Sequence, residues 1–386
     1  MKISVVGWVT GMLFLPVVAM AMPPPAAVNR KLASLQTLER AAKGGNPAAQ
    51  TELGASYFLG KGAPQNYAKA VYWWRKAVRQ GNAPAELALG MCYANGQGVP
   101  KDYAKAVYWV RKAARQGNAH AENNLGVSYH NGFGVPQNYA KAVYWVRKAA
   151  RQGYAPAEYN LGMSYHYGFG VPQNYAKAVY WVRKAARQGN AHAELYLGAS
   201  YYKGHGVPQN YAKAVYWFRT AARQGYEKAE FVLGVSYYEG HGFPQNYAKA
   251  VYWWRKAVRQ GNAPAELALG MCYANGQGVP QDYATAVYWY RKAARQGNAP
   301  AEYNLGMSYH NGFGVPKDYA KAVYWYRKAA RQGNALAELY LGASYYKGHG
   351  VPQNSMKALY WLKKAKAAGG IMGSAAASEI NKIEHG

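Results

Sequence analysis

The chain has 386 residues, half of them hydrophobic, with 38 tyrosines and 12 tryptophans. That composition excludes a disordered, charge-dominated chain. Its 46 lysines and arginines against 17 aspartates and glutamates leave a formal charge of +29, which draws it to anionic partners through contacts that weaken with salt.

The N-terminus reads as an export leader. Lys2 supplies the charged start, residues 3–18 are apolar, and Ala19-Met20-Ala21 is a small-x-small cleavage site, so residues 1–21 are expected to be removed by cleavage after Ala21. Gly7, Gly11, Pro16 and the missing basic flank argue against a retained membrane anchor, and no lipobox cysteine is present. The mature chain is therefore expected without a transmembrane span, in the periplasm or secreted from a bacterial host. Residues 22–45 read as a proline-rich linker followed by a capping helix, NRKLASLQTLERAAKGG.

A block of thirty-six residues then recurs nine times. Its marker is Leu-Gly, with Gly54, Gly90, Gly126, Gly162, Gly198, Gly234, Gly270, Gly306 and Gly342 at one fixed step. The repeats are placed at 46–81, 82–117, 118–153, 154–189, 190–225, 226–261, 262–297, 298–333 and 334–369, with a shortened capping helix in 370–386. A period of this length means stacked helical units that cannot bury their apolar faces singly. In the unit 118–153, Asn118 caps a first helix that closes at Asn131-Gly132. Gly134 and Pro136 interrupt the chain, and Asn138 caps a second helix from Tyr139 to Arg151.

On the second helix, Lys141, Tyr144, Arg147, Lys148 and Arg151 share one arc at 100° per residue. Ala142, Val143, Trp145, Val146, Ala149 and Ala150 share the opposite one, so the recurring tryptophan is expected in the core. On the first helix, Ala121, Leu125 and Tyr129 are expected inward, and Gly126 admits the paired helix closely. Asn123, Val127 and His130 form a third stripe, where the repeats differ most; its last position holds His166, Tyr202, Tyr238, His310 and Tyr346 in other units. Variation along one stripe of a monotonous array marks either a candidate partner-reading surface or drift at unconstrained exposed positions.

Catalytic and metal signals are thin. Ser200-Tyr-Tyr-Lys203 and Ser344-Tyr-Tyr-Lys347 match Ser-x-x-Lys, without the Ser-Asp-Asn and Lys-Thr-Gly partners of penicillin-recognising enzymes. No histidine pair stands at metal-ligand spacing, and His205, His241 and His349 fall in Gly-His-Gly turns expected to be exposed. Cys92 and Cys272 occupy the same slot five repeats apart and are expected as free, packed thiols. No enzyme activity, metal or cofactor is expected. Residues 66–100 and 246–280 are identical throughout, the mark of block duplication.

The succession Leu-Gly-x-x-Tyr, Gly-x-Gly-Val-Pro, Asp/Asn-Tyr-x-Lys-Ala-x-x-Trp and Lys-Ala-Ala-x-x-Gly over residues 46–369 resembles Sel1-like repeats, relatives of tetratricopeptide repeats. The resemblance implies an all-α, right-handed α/α superhelix whose first helices line a concave side. It also implies a non-enzymatic scaffold that binds a protein or peptide, here as a monomer. The chain lacks the cysteine pairs that staple each repeat in one exported branch, so the hydrolase roles proposed there carry over poorly. The alternative reading is an envelope- or host-surface-binding protein, docking on anionic polysaccharide, lipopolysaccharide or lipid head groups through the basic arc. Export argues against nucleic acid as the partner.

Overall fold

The computed structural model describes residues 35–385, so the leader, the cleavage after Ala21 and the prolines of the 22–45 segment lie outside the described residues. Among the described residues there are twenty α-helices and no strand. They fall into two compact units, residues 35–210 and 211–385.

In the first unit, α1 (Leu35–Lys43) packs on α2 (Pro47–Leu59), which pairs with α3 (Tyr67–Val78). The pairs α4 (Ala83–Asn95) with α5 (Tyr103–Arg115), α6 (Ala119–Asn131) with α7 (Tyr139–Arg151), and α8 (Ala155–Tyr167) with α9 (Tyr175–Arg187) follow, and α10 (Ala191–Lys203) packs on α9. The second unit begins with α11 (Tyr211–Arg223) against α12 (Glu227–Glu239), which pairs with α13 (Tyr247–Val258). Next come α14 (Ala263–Asn275) with α15 (Tyr283–Arg295), α16 (Ala299–Asn311) with α17 (Tyr319–Arg331), and α18 (Ala335–Lys347) with α19 (Ser355–Ala367). Finally α20 (Gly370–His385) covers α19 and touches α18.

Local chemistry sets each boundary. Asn118 Oδ1 accepts from the Ala121 amide at 3.0 Å, and Asn138 Oδ1 from the Lys141 amide at 2.9 Å, so both helices start on a satisfied donor. Gly132 closes α6 at φ 75°, its amide donating to the Ser128 carbonyl. Gly134, also at positive φ, lies so close to the Tyr103 carbonyl that a Cβ there would collide with it. Phe133 beside it stacks on Tyr103 at 5.1 Å, tying this loop to the preceding repeat. His205 and His349 fill the same slot and stack on Tyr175 and Tyr319. Of the turn histidines, His205 is exposed as expected and His241 and His349 are half-buried, and each ring anchors its loop by stacking flat on the preceding repeat's tyrosine.

The core runs along the seam between paired helices. It also joins successive repeats: Ala121 and Leu125 are fully buried in one cluster with Val107, Val110, Ala113 and Ala114 of α5, and Val143, Val146, Ala149 and Ala150 in one with Ala157 and Leu161 of α8. Gly126 makes the fit: a Cβ there would lie 2.5 Å from Val146 Cγ2 and 2.9 Å from the Ala142 carbonyl. The tryptophans depart from expectation. Trp145 is only half-buried, its ring under the Lys148 ammonium at 5.0 Å and edge-on to Tyr144. The residue after it fills the seam instead, as Trp74, Val110, Val146, Val182, Trp254, Tyr290, Tyr326 and Leu362, all buried. At 100° per residue that neighbour points at the glycine of the paired helix, whereas the tryptophan sits at the edge of the apolar arc.

Replacing Gly126 with alanine should lower the urea midpoint by the equivalent of about 1–3 kcal/mol, the usual cost of overpacking a close seam. Equilibrium unfolding followed by circular dichroism measures it, and an unchanged midpoint would show that the seam has slack.

Candidate functional site

Two surfaces carry the candidate residues, one on the first helices and one on the second. Along the first helices the register is regular. The Asn160 amide donates to Asn123 Oδ1 at 2.9 Å across to the preceding repeat, and the corresponding Tyr340 lies 5.7 Å from Tyr303. By the same register Asn124 faces Leu87, which explains why its buried Nδ2 meets no hydrogen-bond acceptor. One slot further along, His166 Nδ1 shares a 2.6 Å hydrogen bond with the Tyr196 hydroxyl. Burial, then electrostatic interaction with His205 and Lys203, lower the His166 pKa, so the ring makes this bond in its neutral form.

The predicted reading stripe is therefore more enclosed than a free surface. Asn123 is 6% exposed and His130 9%, with the His130 ring tilted 5.0 Å from Tyr139 and 5.3 Å from Phe169. Burial pushes the His130 pKa down to about 4. Val127 is half-buried, as are Tyr202, Tyr238, His310 and Tyr346. The Tyr238 hydroxyl is held by Gln277 at 2.9 Å, while the buried Nδ1 of His310 meets no partner.

An opening lies on other residues of this stripe, in the unit 211–385. Leu87 and Met91 of α4 are buried, yet Leu267 and Met271 of α14, within an identical stretch, are partly exposed. The first twelve residues of α8 and α16 are likewise identical, with Met163 at 0% and Met307 partly exposed. Across the seam these two open helices face Tyr290 and Tyr326, where α4 and α8 face valines. The Tyr326 hydroxyl reaches Met307 Sδ at 3.2 Å. Sequence reasoning passed over these methionines because it compared positions along one stripe; the seam residue on the paired helix was the signal that differed.

On the second helices the basic arc is only partly free. Lys148 lies 3.0 Å from the buried carboxylate of Glu122, which also accepts from Gln152 at 2.7 Å. The same clasp recurs as Glu86 with Lys112 and Gln116, Glu158 with Lys184 and Gln188, and Glu302 with Lys328 and Gln332. Arg147 donates to the Tyr165 hydroxyl of the next repeat at 3.4 Å, one of a series that includes Arg111 to Tyr129 at 3.2 Å. Lys141 and Arg151 stay exposed around Tyr144, with Lys141 over the Tyr129 ring at 5.6 Å. Of the five residues read as one ladder, Lys148 thus balances a carboxylate and Arg147 links repeats.

Among the described residues, no group of three or more His, Cys, Asp or Glu side chains gathers as a metal site requires. Cys92 and Cys272 are free and buried, and burial pushes both thiols up to about 12, which keeps them protonated. No helix among the described residues is long and apolar enough to cross a membrane.

The Sel1 repeat family model matches nine times in succession, at 47–82, 83–118, 119–154, 155–190, 191–226, 227–262, 263–298, 299–334 and 335–370. The chain belongs to the Sel1 repeat family. This Sel1 repeat chain is similar to a crystal structure of a protective antigen present in uropathogenic Escherichia coli strains, described as displaying an SLR fold: 34% identity, 91% of this chain and 90% of that one, TM-score 0.54. A Sel1 repeat protein from Oxalobacter formigenes is 35% identical over 80% of this chain and 89% of its own, with a TM-score of 0.61. A signal-transduction ATPase with a tetratricopeptide repeat sensor from Pyrococcus horikoshii shares the fold alone, at 16% identity and a TM-score of 0.53. No curated protein matches the chain. The all-helical stack inferred from the repeat signature is therefore that of Sel1 repeats, a family of commonly protein-binding, generally non-catalytic scaffolds.

Two stability effects follow from this Sel1 stripe. Asn124→Leu removes an unsatisfied buried amide and should raise stability by about 1 kcal/mol in urea unfolding; a loss would show that Nδ2 is satisfied in solution. For His130 the folded pKa of about 4 lies below an unfolded value near 6.5, so its contribution is complete above about pH 6.5 and is lost as pH falls through about 4. His130→Phe should accordingly lose less stability than the parent between pH 7 and pH 4, and equal losses would exclude burial of a neutral imidazole as the cause.

Proposed function

We propose that this Sel1 repeat protein is an exported scaffold, periplasmic or secreted and monomeric, that binds a protein or peptide partner along the first helices of residues 211–385. The observation that carries the reading is that identical segments are closed in one unit and open in the other. The tyrosines at the α14–α15 and α16–α17 seams need more volume than the valines they replace, and the opening continues onto α18, where Leu339 and Ala343 are partly exposed. What opens is apolar and adaptable: Leu267, Met271 and Met307, with Asn304 between them. Methionine suits surfaces that accommodate a partner's side chains. The first unit's equivalent stripe is closed by the Asn123–Asn160 pair and the packed His130. The leader-like residues 1–21 support export, and likeness to a protective antigen of uropathogenic Escherichia coli accords with it.

A photo-crosslinking residue at position 271 or 307 should capture a discrete partner from the envelope fraction, whereas one at position 163 should not. Met271→Glu with Met307→Glu should then weaken binding of that partner at least tenfold while the helical spectrum is kept. Equal capture from all three positions would remove this face as the binding site.

A further inference from the structure

The second helices carry a separate surface. Each second helix presents a tyrosine more than half exposed, from Tyr72 at 52% to Tyr216 at 62%, with the following tryptophan edge-on beneath it, buried as Trp73 and half-buried in the later repeats. A large aromatic left this exposed at one fixed position of every repeat is not needed for packing, because the seam is filled by the residue two places on. Cations surround it. In the repeat of α7, Glu122 neutralises Lys148 and leaves Lys141, Arg147 and Arg151 uncompensated about Tyr144. Among the described residues no acidic side chain pairs with Arg115, Arg151 or Arg187. The N-cap acids of the second helices are Asp102 and Asp318, each held by its own lysine at 3.1 Å, and Asp282, which accepts from Thr285. The buried glutamate thus fixes the sign of the outer face, since its charge is spent inside the helix pair.

We infer that this outer face is a docking surface for a linear acidic polysaccharide, whose carboxylates meet the Arg151- and Lys141-type cations while its sugar rings lie on the exposed tyrosines. The strict repetition selects a partner that itself repeats, which a folded acidic protein does not. The aliphatic side chains among the tyrosines and cations of the α5, α7 and α9 arcs are the exposed alanines Ala104, Ala140 and Ala176, too short to enter a lipid layer, so a membrane surface fits less well. Between polysaccharide and nucleic acid the export reading decides, since the polyanions outside the cytoplasm are glycans; this choice rests on that reading. The surface is independent of the first-helix face and of its partner.

The test uses the full chain without residues 1–21, titrated with polygalacturonate, neutral pullulan, single-stranded oligothymidylate and phosphatidylglycerol vesicles at equal salt. Polygalacturonate should bind most tightly, pullulan should not bind, and the affinity should fall steeply from low to high salt. Tyr108→Ala, Tyr144→Ala and Tyr180→Ala together should weaken binding about tenfold at unchanged charge and unchanged salt slope. Arg115→Gln, Arg151→Gln and Arg187→Gln together should weaken it and flatten the slope. All six positions are exposed or edge-packed, and circular dichroism confirms that the variants fold. Wild-type affinity in the triple tyrosine variant would reduce the contact to plain charge adsorption and overturn the proposal. Tighter binding of oligothymidylate or vesicles would overturn the choice of partner. Met271→Glu with Met307→Glu should leave polygalacturonate binding intact, which separates this surface from the first-helix site.

Discussion

Close approach of two helices at one glycine per repeat is the constraint on which the described structure depends. Gly126 leaves room that the side chain of Val146 fills, and the same relation recurs at Gly90 with Val110 and Gly162 with Val182. Because the paired helices meet at contact distance, the seam takes one inserted side chain per repeat, valine opposite Gly90, Gly126 and Gly162 and a larger side chain opposite Gly234, Gly270 and Gly306. Tyrosine at 290 and 326 accompanies an open first-helix face built from sequence that is elsewhere buried.

The second organising element is electrostatic. The carboxylates of Glu86, Glu122, Glu158, Glu266 and Glu302 are buried and met by a lysine and a glutamine from the paired helix, so an inward charge is compensated locally, as burial of an ion demands. Burial raises the pKa of Glu302 while Lys328 and Gln332 pull it down, a balance expected of a charge enclosed between helices. With the Glu122-type residue taken up inside, Arg115, Arg151 and Arg187 keep no acidic partner among the described residues, whereas Lys105 and Lys321 pair with the N-cap aspartates Asp102 and Asp318.

Links between repeats use the aromatic residues that composition alone would assign to the core. Arg111 donates to Tyr129 of the next repeat, Phe133 stacks back on Tyr103, and Gly134 lets its loop lie against the Tyr103 backbone. These contacts repeat with small changes of residue, histidine replacing phenylalanine as His205 and His349. At the ends of the series, α1 and α20 lie against the first and last repeats and shelter apolar faces that would otherwise lack a neighbour.

The sequence by itself determined the repeat, its helix boundaries and the two arcs of the second helix, because caps, glycines and helical periodicity act over a few residues. Asn118, Asn138 and Gly132 do in the structure what their residue types dictate. It also determined the family, since nine copies of one signature leave no competing fold. Tertiary structure alone decided which residue fills the seam, that Trp145 lies at the edge, and that Lys148 faces inward to Glu122. It alone decided that Asn124 meets Leu87 and loses its partner. Identical stretches at 66–100 and 246–280 show why: burial depends on the side chains brought from neighbouring helices, and no single repeat contains them.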